Sequence, residues 1–212
     1  MLKDFMPDQA KVSLNLNEYL AYQDYLDRRL YLNTAISYIE GIVLVGESSI
    51  ANELVGWIFD YNRDDQDKPI EERKPIRLYI DSPGGDIIGG SAIINAIKVS
   101  KTPVYTINVG QWSSMAFLIG ITGHRRFSLP DMTFLMHDGN LFASGSTNKA
   151  QDKMKFDERF ENEVIRTHVL KHSNMKPVEY DALARVEYYM LPQDALKHGF
   201  IDEIVEDIDT IL

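Results

Sequence analysis

Two short segments in the middle of the chain carry the residue types that acyl-transfer chemistry needs. Residues 82–85 read Ser-Pro-Gly-Gly, and residues 110–115 read Gly-Gln-Trp-Ser-Ser-Met. Each segment follows an apolar run with the composition of a buried strand and precedes an apolar run with helical periodicity. Each turn therefore places unpaired backbone N–H groups at a helix N-terminus, where negative charge is stabilised. A serine hydroxyl beside such amides predicts a nucleophile with an oxyanion hole.

A serine nucleophile needs a base, and histidine titrates in the right pH range. His137 ends the apolar run at 133–136, which predicts a buried strand that delivers the imidazole to the same sheet edge as the two turns. His168 and His172 fall on a polar helical stretch and are predicted to be surface residues. His137 is therefore the predicted base, although a strand-end histidine can also be purely structural.

The second turn offers two adjacent serines. The residue whose own amide and the following amide open the helix is better placed to act, which favours Ser114. Ser113 fits a small residue or a cap in a tight turn. The turn at Gly84 and Gly85 gains its significance from lying one crossover away from the serine turn, because ligand sites in open α/β sheets gather at that edge.

The segments around these turns predict an α/β protein. Strands at 76–80 and 104–109, with a helix between them, indicate a parallel crossover. The remaining pattern predicts a helix at 17–30, a strand at 42–45, a helix at 48–61, a polar surface loop at 62–74, a helix at 114–122, a long charged helix at 148–171, a helix at 193–198 and a strand at 200–205.

Size and composition narrow the function classes. A chain of 212 residues with 44% hydrophobic and 25% charged residues is typical of a globular protein with a single core. The net charge of −10 argues against nucleic acid as a partner, and the absence of cysteine excludes disulfides, cysteine nucleophiles and thiolate metal sites. No apolar run is long enough to span a membrane, and the start does not resemble a signal peptide. These features predict a cytoplasmic protein without a metal or cofactor.

Four motifs together resemble the proteolytic subunit of the Clp protease, the ClpP family. They are Ser-Pro-Gly-Gly at 82–85, the Gly-x-x-x-Ser-Met pattern at 110–115, Arg-Phe-Ser-Leu-Pro at 126–130 and Met-His at 136–137. The resemblance extends from about residue 42 to 205. It implies an α/β fold of the ClpP/crotonase type, in which stacked strand-strand-helix units form a head and a long helix projects as a handle. It divides the chain into an N-terminal extension or axial segment, 1–40, and a peptidase domain, 41–212, with its handle at 148–171.

By position, the resemblance implies that Ser114 is the nucleophile, because it directly precedes the methionine, and that His137 is the general base. The backbone amides of Gly85 and Met115 are implied as the oxyanion hole. The third member of the triad falls on Glu187, where the family usually has an aspartate, and Asp181 is the nearest rival. Residues 141–147 are implied to line the substrate cleft.

The resemblance also implies an assembly and partners. It predicts a serine endopeptidase built as two stacked heptameric rings, which cleaves peptides or unfolded proteins and uses ATP only through a separate AAA+ unfoldase. The positions that receive an unfoldase are partly kept, as Tyr79, Phe127 and Leu129, whereas Arg77 and Val99 differ. Two alternatives stay open: a non-catalytic ring subunit, which the unusual Glu187 favours, and a crotonase-type acyl-CoA enzyme, which has no need of a serine beside a histidine.

Overall fold

The structure is a computed structural model that describes residue 24 and residues 26–32, 50–139 and 145–211. The predicted strand at 42–45, most of the extension at 1–40 and residues 141–144 of the predicted cleft lining lie outside the described residues. Among the described residues, no helix has the length and apolarity that a membrane crossing requires.

Strands and helices alternate along most of the described chain. The strands are β1 (Arg29–Leu32), β2 (Ile76–Ser82), β3 (Val104–Ser113), β4 (Arg125–Ser128), β5 (Thr133–Met136), β6 (Tyr188–Met190) and β7 (Glu203–Ile204). The α-helices are α1 (Ile50–Asp64), α2 (Ile87–Val99), α3 (Met115–Gly120), α4 (Thr147–Phe160), α5 (Arg166–Lys171), α6 (Pro177–Leu183) and α7 (Pro192–Lys197).

The strands form one mixed sheet. Its main path runs β1-β2-β3-β4-β7, and all of these pairs are parallel. β3 changes partner along its length, because its first half pairs with β4 and its last three residues pair with β5. β6 then extends β5 in the antiparallel sense. The sheet is thus an α/β sheet in which β3 is central to two sets of strands.

Alternation along β2 explains its place in the sheet. Ile76, Leu78 and Ile80 are fully buried, while the residues between them are partly exposed. This period of two is the pattern of a strand with one face on the core. On the opposite side of β3 and β4, a smaller cluster packs Ile107 and Phe127 against the C-terminal Val205 and Ile211.

The predicted handle is present as one continuous helical stretch. Helix α4, a π-helical turn (Glu161–Ile165) and α5 follow one another without a break, close to the predicted range of 148–171. Helix α4 has no buried residue. A π turn widens a helix by one residue per turn and occurs often at functional sites.

The helix predicted at 17–30 was wrong at its C-terminal end. Arg29–Leu32 forms the edge strand β1, parallel to β2, where the sequence predicted a helix that continued to residue 30. The loop predicted at 62–74 also differs, because α1 continues to Asp64 and Asp65 is fully buried. Asp65 accepts hydrogen bonds from the Arg28 guanidinium and from Thr102 Oγ1, so one residue of this polar segment serves a buried ion pair. Residues 66–72 are exposed, as predicted for a surface loop.

Two further boundaries moved. β3 was predicted to end at residue 109, but it continues to Ser113, since pairing with β5 satisfies the backbone of residues 111–113. The strand predicted at 200–205 is reduced to Glu203–Ile204, because β4 offers only two residues there for pairing.

Candidate active site

Ser114 occupies the junction of β3 and α3 in a strained conformation. Its φ is 54° and its ψ is −124°, a region that non-glycine residues rarely adopt. Its amide donates to Leu135 O at 2.9 Å, and its carbonyl accepts from Phe117 N at 3.0 Å. A turn was predicted over residues 110–114, but β3 continues to Ser113 and α3 begins at Met115, so the change of direction takes place at Ser114 alone.

The Pro-Gly-Gly turn packs directly against this serine. Gly84 and Gly85 have φ values of 93° and 132°, which favour glycine. A Cβ on Gly84 would lie 2.6 Å from Ser113 O and 2.8 Å from Met115 N. The two turns therefore meet, and Met115, as the first residue of α3, has an amide that no preceding helical turn can satisfy.

His137 follows β5 and is fixed by the backbone on both sides. Leu135 O accepts the Ser114 amide, and the next amide beyond the histidine, Asp138 N, donates to Ala184 O at 2.8 Å. His137 Nε2 is buried and has no hydrogen-bond partner among the described residues. Ser114 Oγ and His137 are not hydrogen-bonded to each other within this part of the chain.

Ser114 and His137 line one cleft between the head and the handle. The cleft measures about 470 Å³ including its open mouth. Its other lining residues are Ile87, Met115, Phe117, Leu118, Met136, Gly139, Glu161, Ile165, Val169 and Tyr180. The sheet edge predicted from the sequence thus brings the candidate nucleophile and base to the same space.

Ser113 occupies a different environment. It is 9% exposed, and its hydroxyl donates to Gln111 Oε1 at 3.2 Å. It does not line the cleft. Of the two serines weighed from the sequence, only Ser114 faces the space that His137 shares.

Glu187 lies beside the base along the backbone, but its carboxylate points elsewhere. β5 and β6 pair Met136 with Tyr188, so the next residues on the two antiparallel strands are His137 and Glu187. The Glu187 side chain is exposed and accepts a hydrogen bond from the Tyr189 hydroxyl at 2.8 Å. It makes no hydrogen bond to His137, and its role as third triad member stays a prediction.

Asp181, the rival carboxylate, is occupied by a different partner. Arg166 Nε and a terminal guanidinium nitrogen reach its two oxygens at 2.7 and 3.1 Å. This bidentate pair joins α5 to α6 at the surface. The pair holds the pKa of Asp181 below its usual range, chiefly through the hydrogen bond.

Sequence reasoning missed Glu161, which lies in the π turn and lines the cleft. Tyr180 donates its hydroxyl proton to Glu161 Oε1 at 3.0 Å. Burial raises the pKa of Glu161, and it raises the pKa of Tyr180 as well. The only signal was a carboxylate within the long polar helix, where charged residues are ordinarily solvated.

The prediction that His168 lies at the surface was wrong. His168 is only 5% exposed, and its Nε2 lies 3.1 Å from both Thr122 Oγ1 and Leu118 O. Burial, followed by the neighbouring His172, lowers the pKa of His168 to about 3. The base of the handle therefore contacts α3 and the residues that follow it through a neutral imidazole.

No cluster of metal-ligating side chains occurs in the ranges that the structure describes. Among the described residues, the polar side chains of the cleft are a hydroxyl, an imidazole, a carboxyl and a phenol, and the Met115 amide at the start of α3 lies beside them. This set can activate a nucleophile and hold an oxyanion.

Comparison with known proteins gives one family. The family model described as Clp protease matches residues 47–208. An ATP-dependent Clp protease proteolytic subunit of Deinococcus radiodurans is 29% identical over 170 residues, which cover 78% of this chain and 80% of the relative. The proteolytic subunit of Streptococcus mutans is 29% identical, covering 78% and 84%. The proteolytic subunit 2 of Prochlorococcus marinus is 30% identical, covering 79% and 83%. The chain therefore belongs to the Clp protease family.

Proposed function

We propose that this chain is a serine endopeptidase subunit in which Ser114 attacks the peptide carbonyl and His137 takes and returns the proton. Membership of the Clp protease family makes the chain a protease. Its relatives are proteolytic subunits, and the matched region contains both residues. Glu187 is proposed to orient His137 and to stabilise the imidazolium.

One observation carries the assignment of the residues. Ser114, strained at the end of β3, shares a cleft with His137, and the glycine turn packs on the Met115 amide. The amides of Gly85 and Met115 are proposed to hold the oxyanion, a contribution worth about 3–4 kcal/mol per donor in related enzymes. The arrangement needs no metal or cofactor within the subunit.

His137 Nε2 has no hydrogen-bond partner among the described residues, so the hydrogen bond to Ser114 Oγ that catalysis needs must form in a later step. A catalytic hydrogen bond is often long in a free enzyme and tightens when substrate binds. We expect His137 to turn towards Ser114 Oγ when a peptide strand fills the cleft. The Glu187 carboxylate would then leave Tyr189 for His137 Nδ1.

The assembly and partners follow from the family. We propose a homo-oligomer of two stacked heptameric rings that degrades peptides and unfolded proteins in the cytoplasm and receives substrates from an ATP-driven AAA+ unfoldase. The exposed apolar side chains of the handle, Met154, Phe156 and Val164, support contacts between subunits there. Tyr79 and Leu129, which are partly exposed, are proposed to take part in docking the unfoldase. Phe127, which the sequence also suggested for this role, is fully buried against the C-terminal cluster and is not available for docking.

Labelling by a fluorophosphonate probe tests the nucleophile. Ser114→Ala should abolish labelling and cleavage of a short fluorogenic peptide, because it removes the attacking oxygen. The matched control Ser113→Ala should keep both. Intact mass gives the stoichiometry, and the reverse pattern would contradict the assignment.

A second function, that of a non-catalytic ring subunit, is favoured by the missing hydrogen bonds between Ser114, His137 and Glu187. Sizing the purified protein beside the labelling experiment separates the two. A large ring whose Ser114 reacts supports the peptidase, whereas a ring of the same size that neither labels nor cleaves supports the structural role.

A further inference from the structure

We infer that Glu161 makes the cleft beside Ser114 selective for substrates that place a lysine or arginine side chain in it. The inference rests on the proposed function, because it assigns a specificity to the same nucleophile. It adds a residue from the handle to a site that otherwise comes from the head.

The walls of the cleft suit a long aliphatic chain. Most of the lining is apolar: Ile87, Met115, Phe117, Leu118, Met136, Ile165 and Val169. Such walls bury the methylene groups of a lysine or arginine as well as those of an apolar residue. Selectivity must therefore come from the polar groups that remain.

Glu161 is the only carboxylate in this lining, and no lysine or arginine belongs to the lining among the described residues. Tyr180 donates one hydrogen bond, to Oε1, which leaves Oε2 without a described partner. The nearby arginine on the handle, Arg166, is engaged with Asp181. A carboxylate that loses solvent without gaining a cation is destabilised, and a substrate cation relieves that cost.

The surroundings of Glu161 also disfavour its negative charge when no cation is present. Burial is the main cause of the raised pKa of Glu161, and the negative charge of Asp138 raises it further. The hydrogen bond from Tyr180 acts the other way, and a cation placed in the cleft would offset both unfavourable effects by its attraction to the carboxylate. The Tyr180 hydroxyl, kept protonated by its own raised pKa, holds the carboxylate in position as a donor.

The test compares two peptide substrates that differ only in the residue supplying the attacked carbonyl, lysine in one and Nε-acetyl-lysine in the other. The acetylated residue keeps the aliphatic stem and loses the charge. The native protein should cleave the lysine peptide with the higher kcat/KM. Glu161→Gln, which keeps the shape and can still accept from Tyr180, should reduce the lysine-to-acetyl-lysine ratio at least about tenfold.

The matched control is Glu158→Gln, an exposed carboxylate one turn earlier on the same helix. It should leave the ratio unchanged. A ratio that is equal in Glu161→Gln and in the native protein overturns the inference, and so does a native preference for the acetylated peptide. Elution volume and thermal midpoint establish that each variant assembles as the native protein does.

A second measurement, the rate of labelling by phosphonate probes, tests the inference even if the purified protein cleaves no peptide. Phosphonate probes bearing a lysine-like or a norleucine side chain should react with Ser114 at rates whose ratio falls in Glu161→Gln. If Ser114 cleaves or labels with no dependence on Glu161, the inference fails while the proposed function stands. If Ser114 reacts with no probe, the proposed function fails and the inference with it.

Discussion

At the scale of single residues, Ser114 is held in a backbone conformation that its neighbours impose. The Leu135 carbonyl accepts a hydrogen bond from the Ser114 amide, and the absence of a side chain on Gly84 leaves room for Ser113 and Met115. The oxygen that would attack and the amide that would hold the oxyanion thus belong to one turn of the chain, and a second turn closes over them. The precision of this contact depends on the missing Cβ of Gly84.

Replacing Gly84 tests that dependence. Gly84→Ala introduces a Cβ within 2.8 Å of Met115 N at a φ of 93°, so it should displace the amide and strongly reduce peptide turnover. Strain at such a φ should also lower the free energy of unfolding by about 1–3 kcal/mol. Turnover and chemical denaturation measure the two effects.

Gly56 provides the matched control. It lies in helix α1, and no atom within 4 Å would meet a Cβ there. Gly56→Ala should raise the free energy of unfolding by about 0.5–1 kcal/mol, because alanine loses less backbone entropy in a helix. Equal losses of turnover in both alanine variants would contradict the role given to Gly84.

Glu187→Gln tests the third member of the triad. The amide keeps the length of the side chain but cannot stabilise an imidazolium, so kcat should fall at least about 100-fold with little change in KM. Asp181→Asn should keep kcat, since that carboxylate serves the pair with Arg166. An unchanged rate in Glu187→Gln, or a comparable loss in Asp181→Asn, would move the role away from Glu187.

At the scale of elements, the site depends on how the handle packs on α3. His168 in α5 reaches Thr122 and Leu118 at the end of α3, and its ring lies 4.3 Å from that of His172. Lys98 and Lys171 also act on the pKa of His168. A proton on His168 would therefore add a cation to a buried and already positive junction.

The stability of the protein should consequently decrease in mild acid. The folded pKa of His168 is about 3, against about 6.5 for an unfolded chain, so the unfolded state binds one more proton between these values. Stability contributed by the neutral ring is complete above pH 6.5 and is lost as pH falls, by roughly 1.4 kcal/mol per pH unit.

Urea denaturation at a series of pH values from 7.5 to about 4 measures this slope. His168→Gln keeps an amide that can hydrogen-bond to Thr122 or Leu118. It should reduce the dependence of the unfolding free energy on pH by up to the equivalent of one bound proton. A variant with the same slope as the native protein would contradict the assignment to His168. His172, whose pKa is also lowered by burial, accounts for a remaining part of the dependence.

Elements were predictable where the hydrophobic period was strong. β2 and the handle stand close to their predicted ranges because apolar residues recur at a regular spacing along each of them, and β5 was found from a short continuous apolar run. β3 was harder, since its last residues are polar and their pairing depends on β5, a partner distant in sequence. The edge strand β1 was not predicted, because the residues at its start also fit the apolar stripe of a helix.

At the scale of the whole molecule, short sequence motifs predicted more of the candidate site than the hydrophobic periodicity did. Ser114, His137, Gly85 and Met115 were assigned from short patterns, and the structure brings the serine and histidine to one cleft. Glu161 and His168 could not be found in this way. Both lie in a stretch whose composition is that of a solvated helix, and only tertiary packing decides which of its polar residues become buried.

The buried ion pair of Arg28 and Asp65 also limits how the N-terminal part of this protease can be processed. Asp65 is fully buried and also binds Lys68 and Thr102, so the Arg28 guanidinium is part of the interior. Removing one partner of such a pair costs about 3–5 kcal/mol. We therefore expect a cut after Arg28 to destabilise the subunit, because it would remove one partner of this pair and leave the Asp65 charge buried.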